Sequence, residues 1–207
     1  MPAPIDRRSI PVLAAAGGYL LLTLTADLLN PGWSPVETMV SHYVHARAGW
    51  LIPAALLSLA AAGALLTRLL RPTATPLTRM LLRIWALAVL AGALFPADPP
   101  GRWDQPPTVA GMIHGLAAAA AFTILPVAAI AATHTRQPVT RPATVTAALT
   151  VLTYLLLVAA FLDVQDGPSL TIGGWDSLIG LIERVTLWTY VAWLAVTAAG
   201  TRRPAPA

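Results

Sequence analysis

A handful of ionisable side chains interrupts an otherwise apolar chain. Glu183 and Arg184 stand together inside the last long apolar run, and His114 stands inside the fourth. Asp27 lies near the end of the first run, Asp98 just beyond the third, and Ser41-His42 in the connection after the first. Intramembrane ionisable groups are costly and are functional candidates by default. The residue types suggest a division of labour. His114 could act as a general base, with Asp98 or Glu183 as its orienter or as the acid. Arg184 could hold an anionic head group by charge-assisted hydrogen bonds, with Ser41, His42 and Asp27 completing the binding surface.

The elements that would have to position these groups follow from composition. Of 207 residues, 57% are hydrophobic and 11% are charged, against about 25% charged in soluble domains. Mean hydropathy is +0.68. Too few charges remain to solvate a water-facing shell, and the hydrophobicity excludes disorder. The absence of cysteine excludes disulfides and thiolate chemistry. Six windows have about the 20 mostly apolar residues that a span needs: 10–29, 50–70, 80–95, 109–132, 143–162 and 177–199. The predicted fold is therefore all-α: a single polytopic membrane domain over residues 1–207, a bundle of six transmembrane helices. The first window is too long for a signal-peptide core and lacks a clean cleavage site, so it reads as a retained helix.

Charge orients the bundle. Arg7 and Arg8, Arg68 to Arg79, Arg136 and Arg141, and Arg202 and Arg203 fall on alternate connections. The other connections hold only Arg47 and Arg102, and collect Glu37, Asp98, Asp104, Asp163, Asp166 and Asp176. The positive-inside rule then places both termini in the cytoplasm of a multi-pass plasma-membrane protein. The pI of 10.3 is thus a topology signal. Arginines scattered over four short segments form no nucleic-acid patch. Trp33, Trp50, Trp103 and Trp175 fall near the outer boundary, as in an aromatic belt. Gly111, Gly115, Ala119 and Thr123 recur every fourth residue, which suits close helix packing, and Pro53 and Pro126 are candidate kinks.

The first outer connection carries its own signal. Ser34-Pro35-Val36-Glu37 has a capping-box pattern with Pro at the first helical position. It predicts a short interfacial helix over residues 35–45, with Glu37, Ser41 and His45 on one face, folded as a lid on the outer mouth.

At these residues the chain resembles the domain-of-unknown-function-998 family of small bacterial membrane proteins. The resemblance rests on Pro35 to Ser41, Phe95-Pro96-Ala97-Asp98, His114, and Gly180 to Arg184. Where the family commonly has an acidic residue after the serine, this chain has His42. The family also looks distantly like the Frag1/DRAM/Sfk1 six-helix proteins. The resemblance implies a six-helix fold and the positions of a site, but no reaction.

Three functions fit these residues. The first is an extracytoplasmic polar pocket that binds or modifies a lipid or amphiphile head group, with membrane lipids as its partners. The second is a non-enzymatic structural or accessory membrane protein, with a membrane-protein partner or a second copy of itself. The third is a membrane metal hydrolase built on His114, Asp98 and His42 or His45. A catalytic zinc wants three protein ligands, and the chain lacks a tight HxxxH pair, so no residue is assigned to a metal. The residues specify no cofactor and do not decide whether the protein is an enzyme.

Overall fold

The computed structural model describes residues 6–102, 104–133, 140–165, 167–168 and 170–201. Trp103, Arg136, Asp166, Arg202 and Arg203, used above for orientation, lie outside the described residues. The apolar runs fold as six helices: α1 (Ile10–Leu29), α2 (Leu51–Leu69), α3 (Pro76–Leu94), α4 (Val109–Thr133), α5 (Arg141–Val164) and α6 (Ile179–Gly200). All six are long and apolar enough to cross a membrane. Even the shortest, at 19 residues, reaches about 29 Å at 1.5 Å per residue, the thickness of a hydrocarbon core. The protein is a six-helix, multi-pass membrane bundle.

Each helix packs on the next, and α6 closes the bundle against α1 and α2. The α1–α2, α3–α4 and α5–α6 connections therefore share one end, called here the distal end, opposite the chain termini. Helix α3 starts at Pro76, ahead of the apolar window. Pro at its first position needs no hydrogen bond there, and the Thr75 hydroxyl caps the helix by accepting from the Thr78 amide. Arg79 and Arg83 consequently lie inside the helix. Pro53 falls in the first turn of α2, where a missing N–H breaks no helical bond, so the reason for expecting a kink there disappears.

Helices meet closely where small residues allow it. Trp85 of α3 lies against Gly63 of α2, where a Cβ would be 2.7 Å from the ring's Cε3. Ser58 of α2 donates to the Ala15 carbonyl of α1 at 2.9 Å. The Thr186 hydroxyl of α6 donates to the Thr153 carbonyl of α5 at 3.1 Å. Hydroxyl bonds of this kind tie helices together in lipid, where apolar contact alone has no driving force against the chains.

Pro126 shows how one residue type creates a demand that another meets. It lies inside α4 and has no N–H for the carbonyl of residue 122. The Tyr190 hydroxyl of α6 donates to that Phe122 carbonyl at 2.6 Å. Tyr190→Phe should therefore leave a buried acceptor unmet and lower stability by about 1–3 kcal/mol. Thermal unfolding in detergent checks this, and an unchanged midpoint would refute it.

The predicted helix over 35–45 forms only in part. A 3₁₀ helix covers Val40–His45, and residues 35–38 form only a turn and a bend. Ser34 Oγ does accept from the Glu37 amide at 3.3 Å. The carbonyls of Pro35, Val36 and Thr38, however, are taken by donors from α6. Backbone committed to a neighbour cannot also complete an α-helical ladder.

Candidate functional site

The polar groups of the distal end sort into two neighbouring clusters. The first is centred on Arg184, which is 4% exposed. Its Nη2 donates to Asp27 Oδ1 at 2.6 Å and its Nε to Asp27 Oδ2 at 3.3 Å. Its Nη1 donates to the carbonyls of Pro35, Thr38 and Gly180 at 2.8, 2.7 and 3.1 Å. Its guanidinium also lies 5.2 Å from the centre of the Tyr43 ring, within cation–π range. Burial pushes the Tyr43 phenol up to about 12, so it stays neutral. Arg184 thus clamps the segment after α1 onto α6, with Asp27 neutralising it.

Two other groups support the clamp. Asn30 closes the connection on itself: its Nδ2 donates to the Ala26 and Arg47 carbonyls, and its Oδ1 accepts from the Arg47 amide at 2.8 Å. Gly180 allows the segment to touch α6, since a Cβ there would lie 2.5 Å from the Thr38 carbonyl oxygen. Sequence reasoning passed over Asn30 because an Asn-Pro-Gly run reads simply as a turn.

The second cluster lines a cavity of about 520 Å³ beneath that segment and the α3–α4 connection. Ser41, His42, Asp98, His114 and Glu183 all line it, whereas Asp27 and Arg184 do not. Three of these groups complete the ends of helices. His114 Nδ1 faces the Gly92 and Phe95 carbonyls, at 3.1 and 2.8 Å, which belong to the otherwise unpaired C-terminal turn of α3. Asp98 accepts from the Thr108 hydroxyl and amide, at 2.7 and 2.9 Å, at the start of α4. These bonds, from the hydroxyl above all, hold its carboxyl below the ordinary carboxylate range. Glu183 Oε2 accepts from the Val40 amide at the start of the 3₁₀ helix.

Two of these roles leave a specific atom over. Both partners of His114 Nδ1 are acceptors, so the neutral ring carries its proton there and keeps the Nε2 lone pair. Glu183 Oε1 and His114 Nε2 make no hydrogen bond among the described residues. The His42 imidazole is pushed down to about 4 by burial, reinforced by His114 and His45 and opposed by Asp98. It is therefore uncharged at neutral pH. His45 is spent on the Ala97 carbonyl at 2.7 Å. Among the described residues, no three His, Asp or Glu side chains gather closely enough to hold a metal ion.

Below the mouth, the walls are mostly apolar and small. Gly115, Ala119 and Thr123, read from sequence as a packing stripe, line the cavity. A Cβ at Gly115 would meet nothing within 4 Å. Tyr190 also lines it, about 17 Å along α6 from the distal end at 1.5 Å per residue. Phe161 and Leu162 of α5 are lining residues yet 51% and 66% exposed. The cavity therefore reaches the lipid-facing surface beside α5. About two turns farther from the distal end, the Thr123 and Tyr154 hydroxyls meet at 3.0 Å across the α4–α5 seam.

The family described as protein of unknown function (DUF998) matches residues 13–200, and the chain belongs to it. No curated protein and no solved structure matches the chain.

Proposed function

Starting from a member of that uncharacterised family, we propose that the protein binds, and can act on, the head group of a lipid or other amphiphile. The site would face the extracytoplasmic side of the plasma membrane, with both termini in the cytoplasm, as the arginine distribution suggests. One observation carries the reading: the cavity joins a polar mouth, containing Ser41, His42, Asp98, His114 and Glu183, to apolar walls that reach the lipid-facing surface. That is the polarity profile of an amphiphile. Its volume falls within the roughly 300–1,000 Å³ of small-molecule sites.

In this reading, His114 Nε2 is the group able to accept a proton, because both neighbours of Nδ1 are carbonyls. Glu183 lies on the same cavity with one oxygen uncommitted. A ligand hydroxyl at His114 Nε2 would be activated by general-base chemistry, and a ligand amine or hydroxyl at Glu183 Oε1 would be held by a hydrogen bond. Asp27 and Arg184 serve the site from behind by fixing the segment that carries Ser41 and His42. The same clamp favours a second reading, a purely structural polar cluster, because every nitrogen of Arg184 is already engaged.

Gly115→Leu separates the two. The new side chain would enter open cavity space, and Leu is a better helix former than Gly by nearly 1 kcal/mol. The variant should therefore fold at least as well as the wild type. Lipids co-purified with each protein, quantified by mass spectrometry, should show the carried amphiphile reduced about tenfold in the variant, as for a loss of roughly 1.4 kcal/mol. Equal amounts in both, or none in the wild type, would favour the structural reading.

A further inference from the structure

Arg102 is an exception, one of only two arginines on the acidic side of the bundle. Its position gives the exception a purpose. Arg102 lines the mouth of the cavity, where Arg184 does not. Its Nε donates to Gln105 Oε1 at 2.7 Å, and Gln105 lines the mouth as well. That bond holds the plane of the guanidinium, while its two terminal nitrogens make no hydrogen bond among the described residues. A guanidinium in this state presents a planar pair of donors suited to a phosphate or carboxylate.

The other charged or titratable groups on the cavity decide what an anion there must bring with it. Asp98 is a carboxylate with both oxygens occupied by Thr108. His42 is neutral. His114 Nε2 and Glu183 Oε1 are acceptors without donors. A bare anion would satisfy Arg102 and leave the two acceptors unmet. It would also face the Asp98 carboxylate with no compensating cation of its own. A head group that joins an anion to an amine or hydroxyl would satisfy Arg102 and one of the acceptors. The side opening by Phe161 and Leu162 leaves a path for an attached chain between α4 and α5.

We propose that the ligand is a phospholipid-type amphiphile whose phosphate binds Arg102 and whose amine or hydroxyl donates to one of the two open acceptors, His114 Nε2 or Glu183 Oε1. This rests on the amphiphile reading above and adds the charge, the donor and the residue that selects them. Arg184, the stronger candidate from sequence, is placed behind the wall.

Native mass spectrometry of the detergent-purified full chain tests the assignment. Four probes are used: the 1-acyl-2-O-methyl glycerophospholipids with an ethanolamine and with a choline head group, which have no free glycerol hydroxyl, a monoacylglycerol of the same chain length, and glycerophosphoethanolamine, which lacks the chain. The ethanolamine lipid has anion, donor and tail. The choline lipid has no donor on its ammonium, the monoacylglycerol has no anion, and the last has no tail. Wild type should retain the ethanolamine lipid about tenfold better than any other probe, since a hydrogen bond to a charged group is worth roughly 1.5–3 kcal/mol. Arg102→Gln should lower that to the level of the monoacylglycerol. Monoacylglycerol binding should itself be unchanged, which shows that the variant is folded. Equal retention of the three lipids, undiminished ethanolamine-lipid binding in Arg102→Gln, or equal binding of the tailless head would each overturn the proposal while leaving the amphiphile reading standing in the first two cases. Failure of all four probes on wild type would overturn both.

Discussion

Asp27→Ala should destabilise the folded protein by about 3–5 kcal/mol, the cost of removing one partner from a buried ion pair. Arg184 would keep its three carbonyl acceptors but lose the one carboxylate bonded to it among the described residues. A guanidinium 4% exposed would then remain charged inside the bundle without its ion-pair partner. The comparison that identifies the mechanism is Arg184→Met in the Asp27→Ala background. Met roughly preserves the stem and removes the stranded charge, so the double variant should be more stable than Asp27→Ala alone. Unfolding in mixed detergent micelles gives both numbers. An Asp27→Ala effect within about 0.5 kcal/mol, the range of an ordinary surface substitution, would show that the pair is solvated and that the clamp is not what holds the distal segment.

Lowering the pH should destabilise the same segment through His42. The folded imidazole titrates near 4, against 6.5 for the ordinary group. Between those values the unfolded chain binds a proton that the folded chain does not, so stability rises with pH across this window. It should accordingly be intact above about 6.5, fall as the pH drops toward 4, and level off below that. At about 1.4 kcal/mol per pH unit the full shift is worth about 3.5 kcal/mol, and partial solvent contact reduces it to about 2. His42→Gln removes the titrating group, and the difference between the two pH profiles isolates it from the carboxylates. Parallel profiles would mean that His42 is as solvated in the folded state as in the unfolded one.

The same fold explains why some residues were legible in advance. A run of apolar residues long enough to cross a bilayer has few alternatives to a helix, because every backbone polar group must find its partner within the segment. Ile10–Leu29 and Val109–Thr133 needed nothing beyond that rule. The convergence of His114, Asp98, Glu183 and His42 at one end was also accessible, because helical rise converts position along an antiparallel bundle into depth. Short connections make neighbouring helices antiparallel, which brings the α3–α4 connection and the start of α6 together without further information.

Depth alone does not say which way a side chain turns. Glu183 and Arg184 are adjacent on one helix and about 100° apart around it, yet sequence could not say which one faced a cavity. Tertiary packing decided that Glu183 lines it while Arg184 turns to Asp27 and the backbone of residues 35–38. The same choice truncated the helix expected over 35–45. The capping pattern at Ser34 and Glu37 is local, but the carbonyls needed for an α-helical ladder were claimed by donors 140 or so positions away in the chain, as the Thr38–Arg184 bond shows.

The four-residue stripe on α4 carries the same lesson. Small residues permit close approach but do not demand it. Gly111 faces Asp98, while Gly115 faces open space. Composition, periodicity and the alternation of arginine with carboxylate thus determine the six spans and the end at which polar groups collect, because those depend on transfer between water and lipid residue by residue. Whether a buried charge becomes a clamp or part of a cavity wall depends on which neighbours offer hydrogen bonds in three dimensions, and that was decided only when α1, α6 and the segment between α1 and α2 packed together.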